Sequence, residues 1–423
     1  MKFSRFASRF TNESGIVRLM DDLGKAMAGQ DETLMLGGGN PSHIPGVQQY
    51  FRDSLHRLID NPSRFSHVVG NYESPEGNRQ FIASLVKLMN KQYGWGITPE
   101  NVALTIGSQS AFFYLFNMFG GEDETGQHRQ VLLPITPEYI GYGDVALTDN
   151  LFYSHRPVIE EQGDHFFKYR IDFDDLKVQD NTAAMCVSRP TNPTGNVLTD
   201  DEVERLISLA ESSAVPLIID NAYGDPFPNI IFTETSPAWS PNIIYCMSLS
   251  KVGLPGARTG IVIANTEIIE LIRNMNAIIN LAPPNFGAMI AQDLVESGEL
   301  LRLSQMLIKP YYQQKLEHAL DVIHREMHDI NYMIHRPEGA IFLWLWFPDL
   351  PVTTLQLYQR LKEKHVLVIP GEYFFPGLDN DDWSHKHQCL RVTYSMDTPV
   401  VEKGIALIAE EIRSITANGV DQP

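Results

Sequence analysis

A chain of 423 residues is too long for one small core and suits a large unit with a smaller one attached. With 43% hydrophobic and 20% charged residues it has the material of a packed globular protein, and its net charge of -19 argues against a nucleic-acid or anionic-membrane surface, which needs a basic patch. Cys186, Cys246 and Cys389 are odd in number and far apart, with neither a disulfide framework nor zinc spacing, so buried thiols in a reducing, cytoplasmic setting are expected, and no metal.

Residues 1–10 carry charges but no apolar core, so they read as an arm whose Phe3, Phe6 and Phe10 pack on the body, not as a secretory signal. The apolar run at 34–36 leads into Gly37-Gly-Gly-Asn-Pro41, a turn or a close approach of backbone. A turn-rich segment, 71–77, precedes a helix over 78–93 with Phe81, Leu85, Leu88 and Met89 on one face. The short strand 102–105 meets Gly107-Ser108-Gln109-Ser110, which opens an apolar helix at 111–119. Strand, Gly/Ser turn and helix N-terminus form the arrangement that holds a phosphate, although the same turn caps helices that bind nothing.

Strand 131–133 leads to Pro137-Glu138-Tyr139, whose aromatic ring either stacks on a flat ligand or is simply buried. Strand 183–187 runs into Ser188-Arg-Pro-Thr-Asn192-Pro-Thr-Gly-Asn196, where prolines flanking Asn192 restrict its backbone. Thr199-Asp-Asp-Glu202 is a capping box, and the helix after it shows Val203, Leu206, Ile207 and Ala210 on one face. Strand 216–219 delivers Asp220, with Tyr223 behind it. Strand 243–247 ends in Ser248, Ser250 and Lys251, and Arg258 follows a Gly/Pro-rich turn before strand 260–264. None of these strands alternates with polar residues, which predicts a parallel sheet covered on both faces.

From about residue 300 the texture changes. A long helix is predicted over 301–327, an aromatic strand at 341–347, a helix near 355–364 and a strand at 366–369. A Gly/Phe-rich turn at 370–377 and a strand at 390–393 carrying Arg391 follow. The final helix is expected to be capped by Thr398 with Pro399 first. The expected layout is an arm and part of a small domain at 1–50, a large domain at 51–300 and a small α+β domain at 301–423.

In open α/β sheets, ligands bind beyond the carboxyl ends of the strands. Ser108, Tyr139, Asn192, Asp220, Ser248 and Lys251 all fall just past such ends. A lysine at the polar mouth of a buried strand loses its proton cheaply and attacks a carbonyl. These residues suit pyridoxal phosphate. Lys251 can hold its aldehyde as a Schiff base, and Asp220 can keep its ring nitrogen protonated. Asn192 and Tyr223 can meet the ring oxygen, with Tyr139 as an aromatic lid. Ser108, Gln109, Ser248 and Arg258 can take the phosphate. Arg391 either clamps a substrate carboxylate or forms a surface ion pair.

The ordered set Tyr72…Gly77, Gly107-Ser108-Gln109, Pro137-Glu138-Tyr139, Asn192-Pro-Thr-Gly195, Asp220-Asn-Ala-Tyr223, Ser248-Leu-Ser-Lys251…Arg258 and Arg391 resembles the class I aminotransferases, fold type I pyridoxal-phosphate enzymes, over nearly the whole chain. The resemblance implies a large domain with a mainly parallel, seven-stranded-type sheet and a smaller α+β domain. It implies that Lys251 carries the Schiff base and moves a proton, and that Asp220 pairs with the ring nitrogen. Asn192 and Tyr223 would contact the ring oxygen, and Ser108, Gln109, Ser248 and Arg258 the phosphate. Arg391 would clamp the α-carboxylate, helped by Asn192 and by backbone around Gly39. Tyr72 would reach the phosphate of a neighbouring subunit in a homodimer. Longer phrases at 35–41, 107–116, 188–197, 246–258 and 337–347 resemble one branch of that family, and the resemblance implies amino transfer from valine to pyruvate, giving 2-oxoisovalerate and alanine. The apolar turn at 370–375 and the lack of a motif-placed second arginine agree with a small apolar side chain. Another pyridoxal-phosphate aminotransferase or lyase for small neutral amino acids stays open, as does a non-catalytic ligand-binding regulator. A dinucleotide enzyme would need a G-x-G-x-x-G after its first strand, and none is present.

Overall fold

The strands lack a polar face because both faces of their sheet are covered. In Ile243–Ser248, Ile243, Tyr245 and Met247 enter one core and Ile244 and Cys246 another. In Leu217–Asp220, Leu217 and Ile219 part from Ile218 in the same way. The computed structural model describes residues 2–10, 17, 20–22, 24 and 33–418. Its main sheet has eight strands. In spatial order they are Val102–Ile106, Thr259–Ile263, Ile243–Ser248, Leu217–Asp220, Thr182–Ser188 and His128–Leu133. The two short strands Gly121–Glu122 and Phe152–Ser154 also pair with His128–Leu133. That is one strand more than the seven-stranded expectation.

The sheet is parallel except at two places. The short Gly121–Glu122 is antiparallel to His128–Leu133. Thr259–Ile263 runs antiparallel to both of its neighbours. The second reversal follows from chain length, since residues 249–258 are too few for the crossover that a parallel connection needs. It also brings the start of that strand, and therefore Arg258, to the edge where the other strands end.

A second sheet of six strands holds the C-terminal part. Its order is Ile369–Pro370, Cys389–Thr393, Phe342–Trp346, Met333–His335, Phe166–Arg170 and Val158–Glu161. The last two come from the middle of the chain, so residues 158–170 leave the main sheet and return to it. Residues 366–369, expected as one strand, divide between sheets. Val366–Leu367 pairs in parallel with Leu34–Met35, and Ile369–Pro370 pairs with Cys389–Thr393. The long helix expected at 301–327 is Glu299–Leu303 and Lys309–Glu326 joined through a π-helical turn, Ser304–Ile308. The final helix, Thr398–Asn418, starts one residue before the expected position, with the Asp397 carbonyl accepting from the backbone N–H groups of Val400 and Val401. The helix at 78–93 is Arg79–Tyr93, capped by the Asn78 side chain. The capping box at Thr199 is present.

The arm departs from expectation. Phe3, Phe6 and Phe10 are largely exposed, Phe6 meeting Phe10 edge-on and lining a shallow surface pocket with Leu147 and Thr148. Arg9 makes the attachment, donating to the carbonyls of Ala146 and Thr148 and pairing with Asp149 at 2.6 Å. All three cysteines are buried free thiols. Among the described residues no helix is long and apolar enough to cross a membrane, and no acidic, histidine or cysteine cluster could hold a metal ion.

Candidate active site

Every residue expected at the site except Tyr72 lines one cavity of about 380 Å³, at the edge where the parallel strands end. Its floor comes from the main sheet. Its far wall is Arg391, carried by Cys389–Thr393 of the second sheet. Met20, Met35, Phe112 and Ile140 supply apolar wall.

At one end of the cavity the helix Gly107–Phe119 begins. Its cap position is Ile106, which has no side chain able to cap it, so the first helical N–H groups face the cavity without that partner. Arg258 lies against this turn, its Nη2 3.5 Å from the Ile106 carbonyl oxygen and its Nη1 3.5 Å from Ser250 Oγ. Ser248 Oγ donates to Ser250 Oγ at 2.9 Å. Arg258 holds a left-handed backbone, φ 49°, uncommon for a residue with a side chain. Gly107 has φ 72°, and a Cβ there would stand 2.1 Å from Arg258 Nη2. Gly107→Ala is therefore expected to push the guanidinium aside and weaken affinity for a phosphorylated ligand by about tenfold or more, with a stability cost of about 1–2 kcal/mol from backbone strain. Fluorescence titration with pyridoxal phosphate and a thermal melt would read both; unchanged affinity would remove Arg258 and this turn from the phosphate site.

Asp220 closes the floor. Its Oδ2 accepts from the Tyr142 hydroxyl at 2.8 Å and its Oδ1 from the Ala222 N–H at 3.1 Å. Burial raises its pKa to about 6, against the pull of these donors and of Lys251. The Lys251 amine donates to the Gly39 carbonyl oxygen at 2.5 Å and stands 5.4 Å from the Tyr223 ring centre. Loss of water lowers its pKa to about 8, helped by Arg391 and Arg258 and opposed by Asp220. A fraction of this amine is thus neutral near pH 7, which a nucleophile or proton carrier requires. Burial pushes the Tyr223 hydroxyl far above its usual pKa, so it stays protonated and can donate. Tyr139 flanks the cavity. Gly141 lets its ring fold back, because a Cβ there would sit 2.5 Å from the ring.

Arg391 is buried, not the surface ion pair of one of its two readings. Nη1 donates to Asn192 Oδ1 and Nη2 to the Gly37 carbonyl, both at 2.7 Å, while Nε is buried with no hydrogen-bond partner. The guanidinium lies 4.2 Å from the Phe342 ring centre and 5.2 Å from that of Phe374. The aromatic turn at 370–375 was expected to shape the substrate pocket. Phe374 instead packs behind Arg391, and no residue of that turn lines the cavity. Burial drops the Arg391 pKa to about 10, so it stays charged at neutral pH.

Among the described residues, the cavity therefore gathers three cations, Lys251, Arg258 and Arg391, around one acid in a strongly acidic protein. That set matches a phosphorylated ring with a basic nitrogen at Asp220, plus a separate carboxylate at Arg391. Arg391 is a buried cation whose partners are an amide oxygen and a carbonyl, with no acid paired to it among the described residues, and this is the observation that a carboxylate ligand would answer. Tyr72 stands apart, 82% exposed and outside the cavity. Tyr142, which donates to Asp220, escaped the sequence reading, and Ser188 was read only as the start of a turn-rich loop. The available signal for Tyr142 was a second tyrosine three residues after Tyr139.

Comparison with known proteins agrees with this chemistry. The family described as aminotransferase class I and II matches residues 55–408. The chain is 50% identical over 412 residues to the valine–pyruvate aminotransferase of Escherichia coli strain K12, covering 97% of this chain and 98% of that one. The crystal structure of a putative amino-acid aminotransferase from Psychrobacter arcticum 273-4 superposes with a TM-score of 0.96 at 47% identity, covering 99% and 100% of the two chains. That of the valine–pyruvate aminotransferase AvtA from Salmonella typhimurium LT2 superposes with a TM-score of 0.88 at 49% identity, covering 96% and 100%. With its family match spanning most of the length and a half-identical relative end to end, the chain belongs to the class I and II aminotransferases.

Proposed function

We propose that this enzyme moves the amino group of valine to pyruvate, giving 2-oxoisovalerate and alanine. The observation that carries the reading is the buried Arg391, a cation that lines the same cavity as Lys251. Half-identity to a valine–pyruvate aminotransferase supports the choice of substrates.

The cofactor is pyridoxal phosphate, which when bound supplies the carbonyl that takes up the amino group and a ring that accepts the electron pair left as Cα loses its proton. Ser108, Gln109, Ser248, Arg258 and the helix N-terminus hold its phosphate, and Asn192 and Tyr223 meet its ring oxygen. Asp220 keeps its ring nitrogen protonated. Tyr139 covers the ring. Arg391 grips the carboxylate common to the amino acid and the 2-oxo acid, with Asn192 and the backbone near Gly39 beside it. That grip fixes Cα in reach of Lys251, whose neutral amine removes the Cα proton and returns it on the other side of the transfer. Met20, Met35 and Ile140 keep the cavity apolar, which suits a branched or methyl side chain. Among the described residues, the cavity lining contributes no further arginine for a second carboxylate.

The working form is a homodimer in the cytoplasm. Glu73, next to the exposed Tyr72, accepts from Asn285 Nδ2 at 2.5 Å, which ties Tyr72 to a surface where Ile278, Leu281 and Phe286 are exposed. Such a face suits a second copy, with Tyr72 extending to the partner's phosphate site. A monomer in sedimentation would sink this part of the proposal.

A donor panel tests the main reading. With pyruvate as acceptor, valine is expected to form alanine far faster than phenylalanine or glutamate does. A preference for an acidic or aromatic donor would overturn the substrate choice. Release of ammonia in place of alanine would replace transamination by a lyase reaction.

A further inference from the structure

A second carboxylic acid lies behind the site with no role in the mechanism above. Glu138 is completely buried, as is Tyr142, and Ser188 is nearly so. Glu138 Oε1 accepts from the Ser188 N–H at 2.8 Å, and its Oε2 is 2.5 Å from Ser188 Oγ. Ser188 Oγ is 3.2 Å from the Tyr142 hydroxyl, which is 2.8 Å from Asp220 Oδ2. Four oxygens, Glu138 Oε2, Ser188 Oγ, Tyr142 Oη and Asp220 Oδ2, thus form one unbroken line.

Counting protons along that line decides its charge. It has three oxygen–oxygen contacts, and each needs one hydrogen. Ser188 and Tyr142 bring one each. If both acids were ionised, one contact would have no hydrogen and two carboxylates would share a buried site. One acid proton completes the line. Placed on Asp220, it would reverse every bond and leave Glu138 as a buried anion with no cation beside it among the described residues. Placed on Glu138, it directs every O–H toward Asp220, the end that also faces Lys251. The other ionisable group near Glu138 is Cys186, a buried neutral thiol whose pKa is well above normal. Burial and the nearness of Asp220 together raise the Glu138 pKa to about 8.

We propose that Glu138 is a neutral carboxylic acid heading a one-directional chain, Glu138 to Ser188 to Tyr142 to Asp220, that holds Asp220 ionised and oriented. It is a positioning residue, acting on the reaction only through Asp220. Its effect on catalysis rests on the reading that Asp220 faces the ring nitrogen; its protonation does not.

Infrared spectroscopy of the full-length, cofactor-free protein separates the two. A protonated-carboxyl band is expected at neutral pH, shifted by carbon-13 labelling of glutamate in the unmutated protein and absent from Glu138→Gln. No such band, or one unmoved by glutamate labelling, overturns the proposal whatever becomes of the cofactor reading. Stability gives a second readout. A group raised from 4.5 to about 8 contributes stability that is complete below pH 4.5 and is lost as pH rises through 8. Wild type should therefore lose more of its melting temperature over that window than Glu138→Gln. In the loaded enzyme, Glu138→Gln keeps the donor to Ser188 and should retain kcat within about threefold, while Glu138→Met, which cannot donate, loses about tenfold or more. Equal losses in the two variants would mean that an ionised carboxylate is required, and would overturn the proposal. A surviving band with no difference between either variant and wild type in kcat would instead reject the link to catalysis.

Discussion

Replacing Lys251 with alanine is expected to abolish transamination, by at least about 10⁴-fold in kcat, and to leave the fold intact. The size follows from the proposed role of Lys251, bonding to the cofactor and moving the Cα proton, since single removals of such groups cost as much as dismantling a whole catalytic set. The fold should survive because the amine makes one hydrogen bond, to the Gly39 carbonyl, and sits among cations that repel it. Stability near neutral pH should change by no more than about 1 kcal/mol. Linkage gives a sharper signature. A lysine whose pKa falls from 10.5 to about 8 binds fewer protons folded than unfolded between those values. Its contribution is present above pH 10.5 and is lost as pH falls through 8. Cofactor-free wild type should therefore gain stability relative to Lys251→Ala as pH rises through that window. The measurements are alanine formation, the visible absorbance of bound cofactor and melting against pH. Turnover within tenfold of wild type would remove Lys251 from the mechanism.

The second large effect belongs to Arg391. Arg391→Met fills the space of the side-chain stem and lets Phe342 and Phe374 stay packed, but removes a planar pair of charged donors. Each charge-assisted hydrogen bond is worth about 1.5–3 kcal/mol, so kcat/KM should fall about 10²–10⁴-fold. It should fall alike for valine and for pyruvate, because each carries the carboxylate. Arg391→Lys should rescue little, since an ammonium cannot reproduce the fork that now spans Asn192 and Gly37. Isobutylamine, valine without its carboxylate, provides the control. Wild type should strongly prefer valine, and Arg391→Met should lose that preference. If the variant slows both amines equally, Arg391 supports structure and does not bind substrate. Affinity for pyridoxal phosphate should be unchanged in either case.

Some of this site can be read along the chain. Ser108, Asp220, Ser248 and Lys251 each follow an apolar run bounded by turn formers, and a run of that kind ends at the sheet edge whatever its neighbours are. Their place at one edge follows from local pattern together with the parallel rule. Arg258 needed more. Its place depends on Thr259–Ile263 running backwards, a consequence of the short link that apolar patterning does not show. Arg391 needed most. In sequence it is one arginine in a short strand. Only the pairing of Cys389–Thr393 with Phe342–Trp346, and the packing of that sheet over the first, surrounds it with Asn192 and Phe342 and leaves Nε alone.

The misread segments have a common cause. Phe3, Phe6 and Phe10 look like anchors because they are apolar, yet the arm is held by Arg9, whose partners Ala146, Thr148 and Asp149 lie more than a hundred residues away. Residues 366–369 are continuous as a β pattern and are divided because two different strands come to pair with them. The amino-acid sequence by itself determined the covered α/β sheet, the helix caps and the residues that carry chemistry, because these depend on hydrophobic period and on side-chain type within a few positions. Tertiary structure alone decided which charges share the cavity, which arginine is buried without an acid beside it and which second acid lies in line behind Asp220, because each depends on water excluded by distant parts of the chain.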